Sequence, residues 1–492
     1  MKVAAIVAEF NPFHNGHAWL IEQAKKARSA DYVVIIMSGN FVQRGEPAVA
    51  DKFLRTKMAL LCGADLVLEL PTPFATASAR EFARAAVALS DQTGIVDELV
   101  FGVEGLPDSI KKTAEPAELL DALSQTADVL LIEEPLFQQQ LKALLRGGMN
   151  YPRAREAALH AFTDFSESTE ASKTACPKHV KSVCASEAAP EHRTEIGPHA
   201  ALLSSPNNVL ALEYLQALKL RTSAIRPVPV LRQGDGYHSE ATSGSPFASA
   251  TALRSMLLSS KDVSPYVPPA LSSFYQFERA ADKADTPDEA NTAASDIALS
   301  DTGVLDAVPS NSGLTDFSRP HWLSTSALDV PLQHCLLAHL RAGTDFSRFA
   351  DVSAEIAGRL RRSAGRICSF DQRVEQLWTK QYTRSRISRA LLHVLLGITK
   401  EQTEAQKQRG YHDFIRILGF SNAARAELLP ALKQHAALPV ITRAAAHKEM
   451  LADEIYYSDF YYALQAGNSR NSQPAVMAGS VKNELQRRIE IV

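Results

Sequence analysis

The stretch at residues 3–20, VAAIVAEFNPFHNGHAWL, constrains the fold more than any other part of the chain. Its apolar run at residues 3–7 predicts a buried β-strand. The pair Asn11-Pro12 marks a turn, and an apolar helical pattern begins at residues 19–21. A strand that passes through a short turn into a helix is the basic unit of α/β proteins. The sequence therefore predicts that the chain starts with such a unit.

The HNGH motif at residues 14–17 lies between this strand and this helix. At the amino end of a helix, free N–H groups and the helix dipole favour a bound phosphate. We expect His14 and His17 to donate hydrogen bonds to nucleotide phosphates and to stabilise the charge that grows when the α-phosphorus is attacked. Gly16 leaves the backbone open to a phosphate. Alternatively, the histidines are surface residues or half of a zinc site, although no nearby Cys or carboxylate cluster completes one.

Four further apolar runs follow, and helical patterns separate most of them. They are YVVIIMS from residue 32, ADLVLELP from 64, DELVFGVEG from 97 and IRPVPVLRQ from 225. This alternation predicts a doubly wound parallel α/β sheet with right-handed crossovers, and the prolines favour an edge position for the last strand. The loop GNFVQRGEP follows the second strand, so Gln43 and Arg44 could reach a ligand there. Arg44 is equally compatible with a solvated loop charge.

A second helix start with phosphate-binding character occurs at ASATALRSML, from Ala248. The hydroxyls of Ser249 and Thr251, together with free N–H groups, can bind a phosphate, and Arg254 adds a fixed positive charge. The alternative is that Arg254 is an exposed helix charge.

Composition divides the chain into three predicted parts. Residues 1–258 form the α/β domain, interrupted at about 166–199 by an insertion rich in Ser, Ala, Glu, Thr and Lys with little periodicity. Residues 259–327 form a linker with an acidic low-complexity segment. Helical periodicity then predicts a separate α-helical domain over 328–492.

The helical part contains a local basic patch. Residues 359–389 hold nine Lys and Arg against only Asp371 and Glu375, with Trp378 and Tyr382 interleaved. Such a patch favours RNA, because arginines bind phosphates and an aromatic ring can stack on an unpaired base. The candidate RNA contacts are Arg359, Arg361, Arg362, Lys380, Arg384, Arg386 and Arg389. The alternative is an exposed helix face whose aromatics belong to the core.

The composition is that of an ordinary globular chain, with 46% hydrophobic and 22% charged residues and a net charge of −3. Any nucleic-acid surface must therefore be local. Five scattered cysteines fit a reducing compartment, and the spacing of Cys176 and Cys184 matches no standard zinc pattern. The first apolar run is short and is followed by Glu9 and Pro12, so we expect no signal peptide, no membrane span and a cytoplasmic protein.

HNGH resembles the HxGH signature of the nucleotidyltransferase superfamily. The longer strings EFNPFHNGH, MSGNFVQRGEPAVADKFLRTKMAL and GADLVLELP are similar to the bacterial tRNA(Met) cytidine acetate ligase family. The resemblance covers most of residues 1–110, a block from about 200 to 256 and much of 370–460. It implies a Rossmann-like nucleotidyltransferase domain. It also implies an enzyme that activates acetate with ATP and forms 4-acetylcytidine at the wobble position of elongator tRNA(Met).

The resemblance further implies which residues hold ATP, with Mg²⁺ expected on the phosphates and no dedicated metal site in the sequence. The implied ATP contacts are Val7, Ala8, Glu9, Phe10, Asn11, Pro12, Phe13, His14, Asn15, Gly16, His17, Ala18, Trp19, Leu20, Gly102, Asn207 and Arg232. His14 and His17 are the implied catalytic residues. Asn208 remains an alternative to Asn207.

Two other functions stay open from the residues alone. One is a small-molecule adenylyltransferase that moves AMP onto a phosphorylated metabolite. The other is an RNA-binding protein that holds ATP as a structural ligand.

Overall fold

A computed structural model describes most of the chain. The described residues are 1–26, 29–104, 116–132, 134–149, 153–155, 157–158, 206–232, 246–275, 322–469 and 482–492. The predicted insertion at 166–199 and most of the segment at 280–327 lie outside the described residues.

Ten strands and sixteen α-helices are found in the described residues. The strands are β1 (Val3–Ala8), β2 (Tyr32–Ser38), β3 (Phe41–Val42), β4 (Glu46–Pro47), β5 (Leu66–Leu70), β6 (Glu98–Val103), β7 (Arg226–Leu231), β8 (Ile415–Phe420), β9 (Val440–Ile441) and β10 (Glu490–Ile491). The helices of the first part are α1 (Asn15–Lys26), α2 (Lys52–Leu61), α3 (Thr72–Ala75), α4 (Ala79–Thr93), α5 (Pro116–Ile132), α6 (Glu134–Arg146), α7 (Pro206–Leu220), α8 (Ala250–Leu258) and α9 (Ser272–Tyr275). The later helices are α10 (Asp329–Arg341), α11 (Ala354–Ser363), α12 (Phe370–Leu377), α13 (Arg384–Leu396), α14 (Lys400–Gln408), α15 (Leu428–His435) and α16 (Ala452–Ser469).

The main sheet has the strand order β10-β8-β5-β2-β1-β6-β7, with β9 paired to β8. Strands β5, β2, β1, β6 and β7 are mutually parallel. The chain builds outward from β1 through β2 to β5 and then returns to the other side of β1 with β6 and β7. The switch point therefore lies between β1 and β6, where doubly wound sheets bind their ligands. The predicted doubly wound α/β fold is confirmed.

The predicted strands of this sheet are present, and their residues explain why. Every residue of β5 is buried, and in β2 only the first residue is partly exposed, as expected for strands covered on both faces. The last parallel strand, β7, ends the sheet on the β6 side. It contains Pro227 and Pro229, which lack an N–H and are tolerated at an edge.

The carboxyl-terminal part is mostly helical but also supplies strands to the same sheet. Strand β8 pairs antiparallel with β5, and β10 pairs parallel with β8. The prediction of a pattern that is helical almost throughout this region does not include these strands. The run Ile415–Phe420 is short and buried at every position, and periodicity does not distinguish a strand from a helix in such a run. The predicted domain boundaries at 258 and 328 stay a prediction.

None of the helices within the described residues combines the length and the apolar character needed to cross a bilayer.

Candidate active site at the sheet switch point

Three segments that follow parallel strands meet at the switch point. The HNGH turn follows β1, Glu104 follows β6, and Arg232 follows β7. Parallel register between β6 and β7 sets Gly102 opposite Val230, so the ends of these two strands lie side by side. Helix α1 begins at Asn15, which puts His17 within its first turn.

His14 and His17 form a stacked pair. Their ring centroids are 3.8 Å apart and their planes differ by 26°. The N–H of Gly16 donates to Nδ1 of His14 at 3.1 Å, and the N–H of His14 donates to Nδ1 of His17 at 3.3 Å. A ring nitrogen that accepts a hydrogen bond carries no proton, so each neutral ring keeps its proton on Nε2. The pair therefore offers two Nε2–H donors.

Both imidazoles are neutral at pH 7. Burial, reinforced by the positive charge of Arg232, lowers the pKa of His14 to about 3. Burial, His14 and Arg232 together lower the pKa of His17 well below its usual value. A site with neutral donors and a nearby guanidinium is suited to an anionic ligand.

Gly16 is required by the His14 ring as well as by any ligand. A Cβ at this position would lie 2.9 Å from Cε1 and 3.1 Å from Nδ1 of His14. Any other residue would displace the ring from the backbone N–H that orients it.

The two asparagines at the start of α7 have different roles. Asn208 is buried, and its side chain accepts the N–H of Glu104 at 2.9 Å and donates to the Glu104 carbonyl at 3.1 Å. Asn207 instead donates to the Glu104 carboxylate at 2.5 Å and accepts from Nη1 of Arg232 at 3.1 Å. A Cβ at Gly102 would lie 3.2 Å from Cγ of Arg232. The structure thus brings together Gly102, Asn207 and Arg232, and it leaves Asn208 holding the end of β6.

The second predicted phosphate turn lies against the first. Arg254 donates to the carbonyl of Asn11 at 2.7 Å, and Asn15 donates to the carbonyls of Pro246 and Pro265 at 2.9 and 3.2 Å. The Ser249 hydroxyl caps α8 by accepting the N–H of Ala252. Ser249 therefore already has a structural partner, whereas Thr251 is exposed, 3.3 Å from Nη2 of Arg254.

Several residues of the stretch 7–20 contribute to the core. Phe10 and Phe13 are 1% and 0% exposed, with ring centroids 4.8 Å apart. Their side chains support the edge-on ring of His17, whose centroid is 4.9 Å from that of Phe10. We infer that Phe10 and Phe13 fix the position of the His17 ring by packing against it.

Glu104 and the packing of residues 41–47 against α13 were not anticipated from the sequence. The available signal for Glu104 is a charged residue near the end of the predicted strand run that starts at residue 97. Gly45, at φ +78°, packs directly on the backbone of Arg389, and Ser388 donates to the Gly45 carbonyl at 2.8 Å. The helical part of the chain thus contacts the loop beside the site.

Comparison with known proteins identifies the family. The family model described as HIGH Nucleotidyl Transferase matches residues 1–475. A tRNA(Met) cytidine acetate ligase of Acetivibrio thermocellus is 31% identical over 444 residues, which cover 90% of this chain and 88% of the relative. One of Lysinibacillus sphaericus is 31% identical over 481 residues, covering 96% and 98%. The chain belongs to the HIGH nucleotidyl transferase family, among the tRNA(Met) cytidine acetate ligases.

Solved structures of this family have the same fold. Thermotoga maritima TmcAL bound with alpha-thio ATP superposes with a TM-score of 0.71 at 24% identity, and the match covers 100% of both chains. The apo form of the same protein has a TM-score of 0.71 at 25% identity, covering 97% of this chain and 98% of that one.

The seven candidate RNA contacts of the basic patch differ in how exposed their side chains are. Arg361, Arg362, Lys380 and Arg384 are exposed, Arg359 and Arg386 are half-buried, and Arg389 is buried. Arg389 donates to Asp351 at 2.8 Å and lies 3.5 Å from the Gln43 carbonyl. It therefore forms an internal ion pair with Asp351 and does not belong to the exposed basic surface. The packing of Ser388 and Arg389 against Gly45, which buries Arg389, is not visible in a charge pattern.

Among the described residues, no group of three or more His, Cys, Asp or Glu side chains could together hold a metal ion.

Proposed function

We propose that the chain is an ATP-dependent acetate ligase that forms 4-acetylcytidine at the wobble position of elongator tRNA(Met). In the first step an acetate oxygen attacks the α-phosphorus of ATP. An O–P bond forms, the bond to the β-phosphate oxygen breaks, and pyrophosphate leaves. In the second step the exocyclic amine of the cytidine attacks the acetyl carbon, and AMP leaves.

The stacked His14–His17 pair is the observation that carries this proposal. Two Nε2–H donors at the first turn of α1 are suited to the oxygens of the α-phosphate, where negative charge grows during attack. Being neutral, they donate without a change of protonation state. Arg254, Thr251 and the first N–H groups of α8 provide the complementary positive side for the leaving pyrophosphate.

The ribose and adenine of ATP fit the ends of β6 and β7. Gly102 leaves space beside Arg232, and Asn207 is oriented by Glu104 and Arg232 together. Mg²⁺ would be held chiefly by phosphate oxygens and would neutralise part of their charge, which is how this ion often binds nucleotides.

The tRNA fits the exposed part of the basic patch. Arg361, Arg362, Lys380 and Arg384 are exposed, and the Arg384 guanidinium lies 5.2 Å from the ring centre of Trp378, which is 41% exposed. Half-buried Arg359 supports this surface by donating to the carbonyl of Gln376 at 3.1 Å. Exposed cationic side chains suit a phosphate backbone, and an exposed indole suits an unpaired base. ATP, acetate and tRNA are cytoplasmic, and we assign the protein to that compartment.

The test is incubation of the full chain with labelled acetate, ATP and bulk tRNA. We expect label in RNA as 4-acetylcytidine and one AMP for each acetyl group transferred. AMP transferred to a phosphorylated metabolite, with no label in RNA, would instead favour a small-molecule adenylyltransferase. Absence of any turnover would favour an RNA-binding protein that holds ATP structurally.

A further inference from the structure

Glu9 is the residue directly after β1, at the switch point itself. Its carboxylate accepts the backbone N–H of Gln43 at 2.7 Å, and its carbonyl accepts Nη1 of Arg55 at 2.7 Å. Arg55 is fully buried and also donates to the Ser38 carbonyl at 3.0 Å. Glu9 is therefore held in place from two sides, with its side chain directed to the loop at residues 41–47 that packs on the helical part.

The other titratable groups that the structure describes at the switch point are poorly suited to accept a proton. Burial keeps the pKa values of His14 and His17 low, and their Nδ1 atoms are already occupied. Glu46 lies 3.6 Å from the guanidinium of Arg254, and Glu104 accepts from Asn207. Among the described carboxylates beside the switch point, Glu46 and Glu104 therefore face cationic or amide side chains, whereas Glu9 accepts a backbone N–H.

We propose that Glu9 is the general base of acetyl transfer. As the cytidine N4 lone pair bonds to the acetyl carbon, the bond from that carbon to the AMP oxygen breaks, and one N4 proton passes to the Glu9 carboxylate and then to solvent. This inference rests on the proposed acetate ligase function. It assigns Glu9 to the second step, since no proton is removed when acetate attacks ATP.

The surroundings of Glu9 favour this role. Burial raises the pKa of Glu9, and the N–H of Gln43 opposes that rise. Among the nearby charges, Arg254 and Arg44 lower this pKa and Glu46 raises it. A carboxylate with a raised pKa is a better proton acceptor near neutral pH than an ordinary one.

The test separates the two steps in the full-length protein. Acetyl-adenylate formation is measured by trapping with hydroxylamine, which yields acetohydroxamate without RNA. Acetyl transfer is measured as single-turnover formation of 4-acetylcytidine on tRNA. For Glu9→Gln we expect transfer to slow about 100- to 1,000-fold, a much larger loss than any loss of hydroxamate formation in the same variant. Glu9→Asp should recover part of the transfer rate, and the pH dependence of transfer should flatten in Glu9→Gln.

Glu104→Gln is the matched carboxylate control, because Glu104 orients Asn207 on the ATP side. We expect it to raise the KM for ATP in the hydroxylamine assay, the opposite pattern from Glu9→Gln. Equal loss of both steps in Glu9→Gln, or an unchanged transfer rate, would overturn the inference. A wild-type protein that forms hydroxamate but never acetylates RNA would refute the proposed acceptor, and the role of Glu9 with it. If the wild-type protein does acetylate RNA, the proposed acceptor holds, and the Glu9→Gln result then tests only the role of Glu9.

Discussion

The imidazoles of His14 and His17 lie ring on ring at 3.8 Å, and each accepts a backbone N–H through Nδ1. The backbone of the turn thus sets the tautomer of both rings. The two donors are prepared before any ligand arrives, so little reorganisation accompanies the growth of charge on a phosphate.

Removing one donor should affect the chemistry and, to a smaller extent, the stability of the fold. We expect His17→Ala to slow acetate-dependent ATP–pyrophosphate exchange about 100- to 1,000-fold, as for loss of a donor to a developing oxyanion. Because the N–H of His14 loses its Nδ1 acceptor, the free energy of unfolding of this variant should fall by about 1–3 kcal/mol, which the unfolding midpoint reports. The exposed histidine His447 provides the matched control, and His447→Ala should exchange at the wild-type rate. If His17→Ala kept the wild-type exchange rate, the His17 imidazole would not be a donor to the α-phosphate.

The tautomers can be observed directly by NMR of the ligand-free protein. Since burial lowers the pKa of both rings, we expect neither to gain a proton as the pH falls from about 8 to about 5.5. Their ¹⁵N shifts should report a protonated Nε2 and an unprotonated Nδ1 throughout. A titration near the ordinary histidine pKa of 6.5 for either ring would contradict the assignment of two neutral rings.

The sequence predicted the parts of this site that depend on local pattern. Continuous apolar runs located β1, β2, β5 and β6, and the Gly16-containing turn located a helix start. What it did not resolve depends on distances between distant segments. The sequence does not distinguish Asn207 from Asn208. The structure does, because Asn208 contacts the backbone of Glu104 at the end of β6, whereas Asn207 contacts the Glu104 carboxylate. Arg389 belongs to a basic run, yet packing of Gly45 against α13 buries it.

The asparagine pair makes opposite predictions for its two members. Asn207→Ala should raise the KM for ATP about 10-fold, because the contact that orients Arg232 is lost, with little effect on stability. Asn208→Ala leaves the N–H and carbonyl of Glu104 without their partner and should lower the free energy of unfolding by about 1–3 kcal/mol. Steady-state kinetics and urea unfolding of both variants check this division. A raised KM for ATP in Asn208→Ala, with a loss of stability in Asn207→Ala, would instead mean that Asn208 is the ATP contact.

Trp378 should contribute to RNA binding and not to adenylate formation. The Arg384 guanidinium lies 5.2 Å from the centre of its ring, and Arg359 holds the turn by lying 3.4 Å from the Trp378 carbonyl. We expect Trp378→Ala to weaken tRNA binding about 5- to 30-fold, the loss of one stacked base, while ATP–pyrophosphate exchange is unchanged. Tyr456→Ala, which removes another exposed aromatic, should bind tRNA normally. Equal binding by the two variants would exclude Trp378 from the RNA surface.

A buried charge cluster joins the carboxyl-terminal segments to the sheet. Lys52 lies 2.7 Å from Glu69 and 3.0 Å from Glu484, and Arg416 pairs with both carboxylates. Although burial opposes ionisation, Lys52 and Arg416 hold the pKa of Glu484 below its usual value. Glu454 has a different environment, since it accepts the N–H and the hydroxyl of Thr72, both at 2.7 Å.

Glu454 should make the stability of the protein depend on pH. Burial, reinforced by the negative charge of Glu69, raises the pKa of Glu454 to about 7 from 4.5. The folded protein therefore holds this proton more tightly than the unfolded chain, and the resulting stability is present below about pH 4.5 and lost as the pH rises through 7. Glu454→Gln keeps an uncharged group at the site at every pH. Its unfolding midpoint should therefore rise relative to wild type between about pH 5.5 and about pH 8, whereas the exposed control Glu449→Gln should show a constant difference. A constant difference for Glu454→Gln as well would mean that Glu454 does not take up a proton in this range.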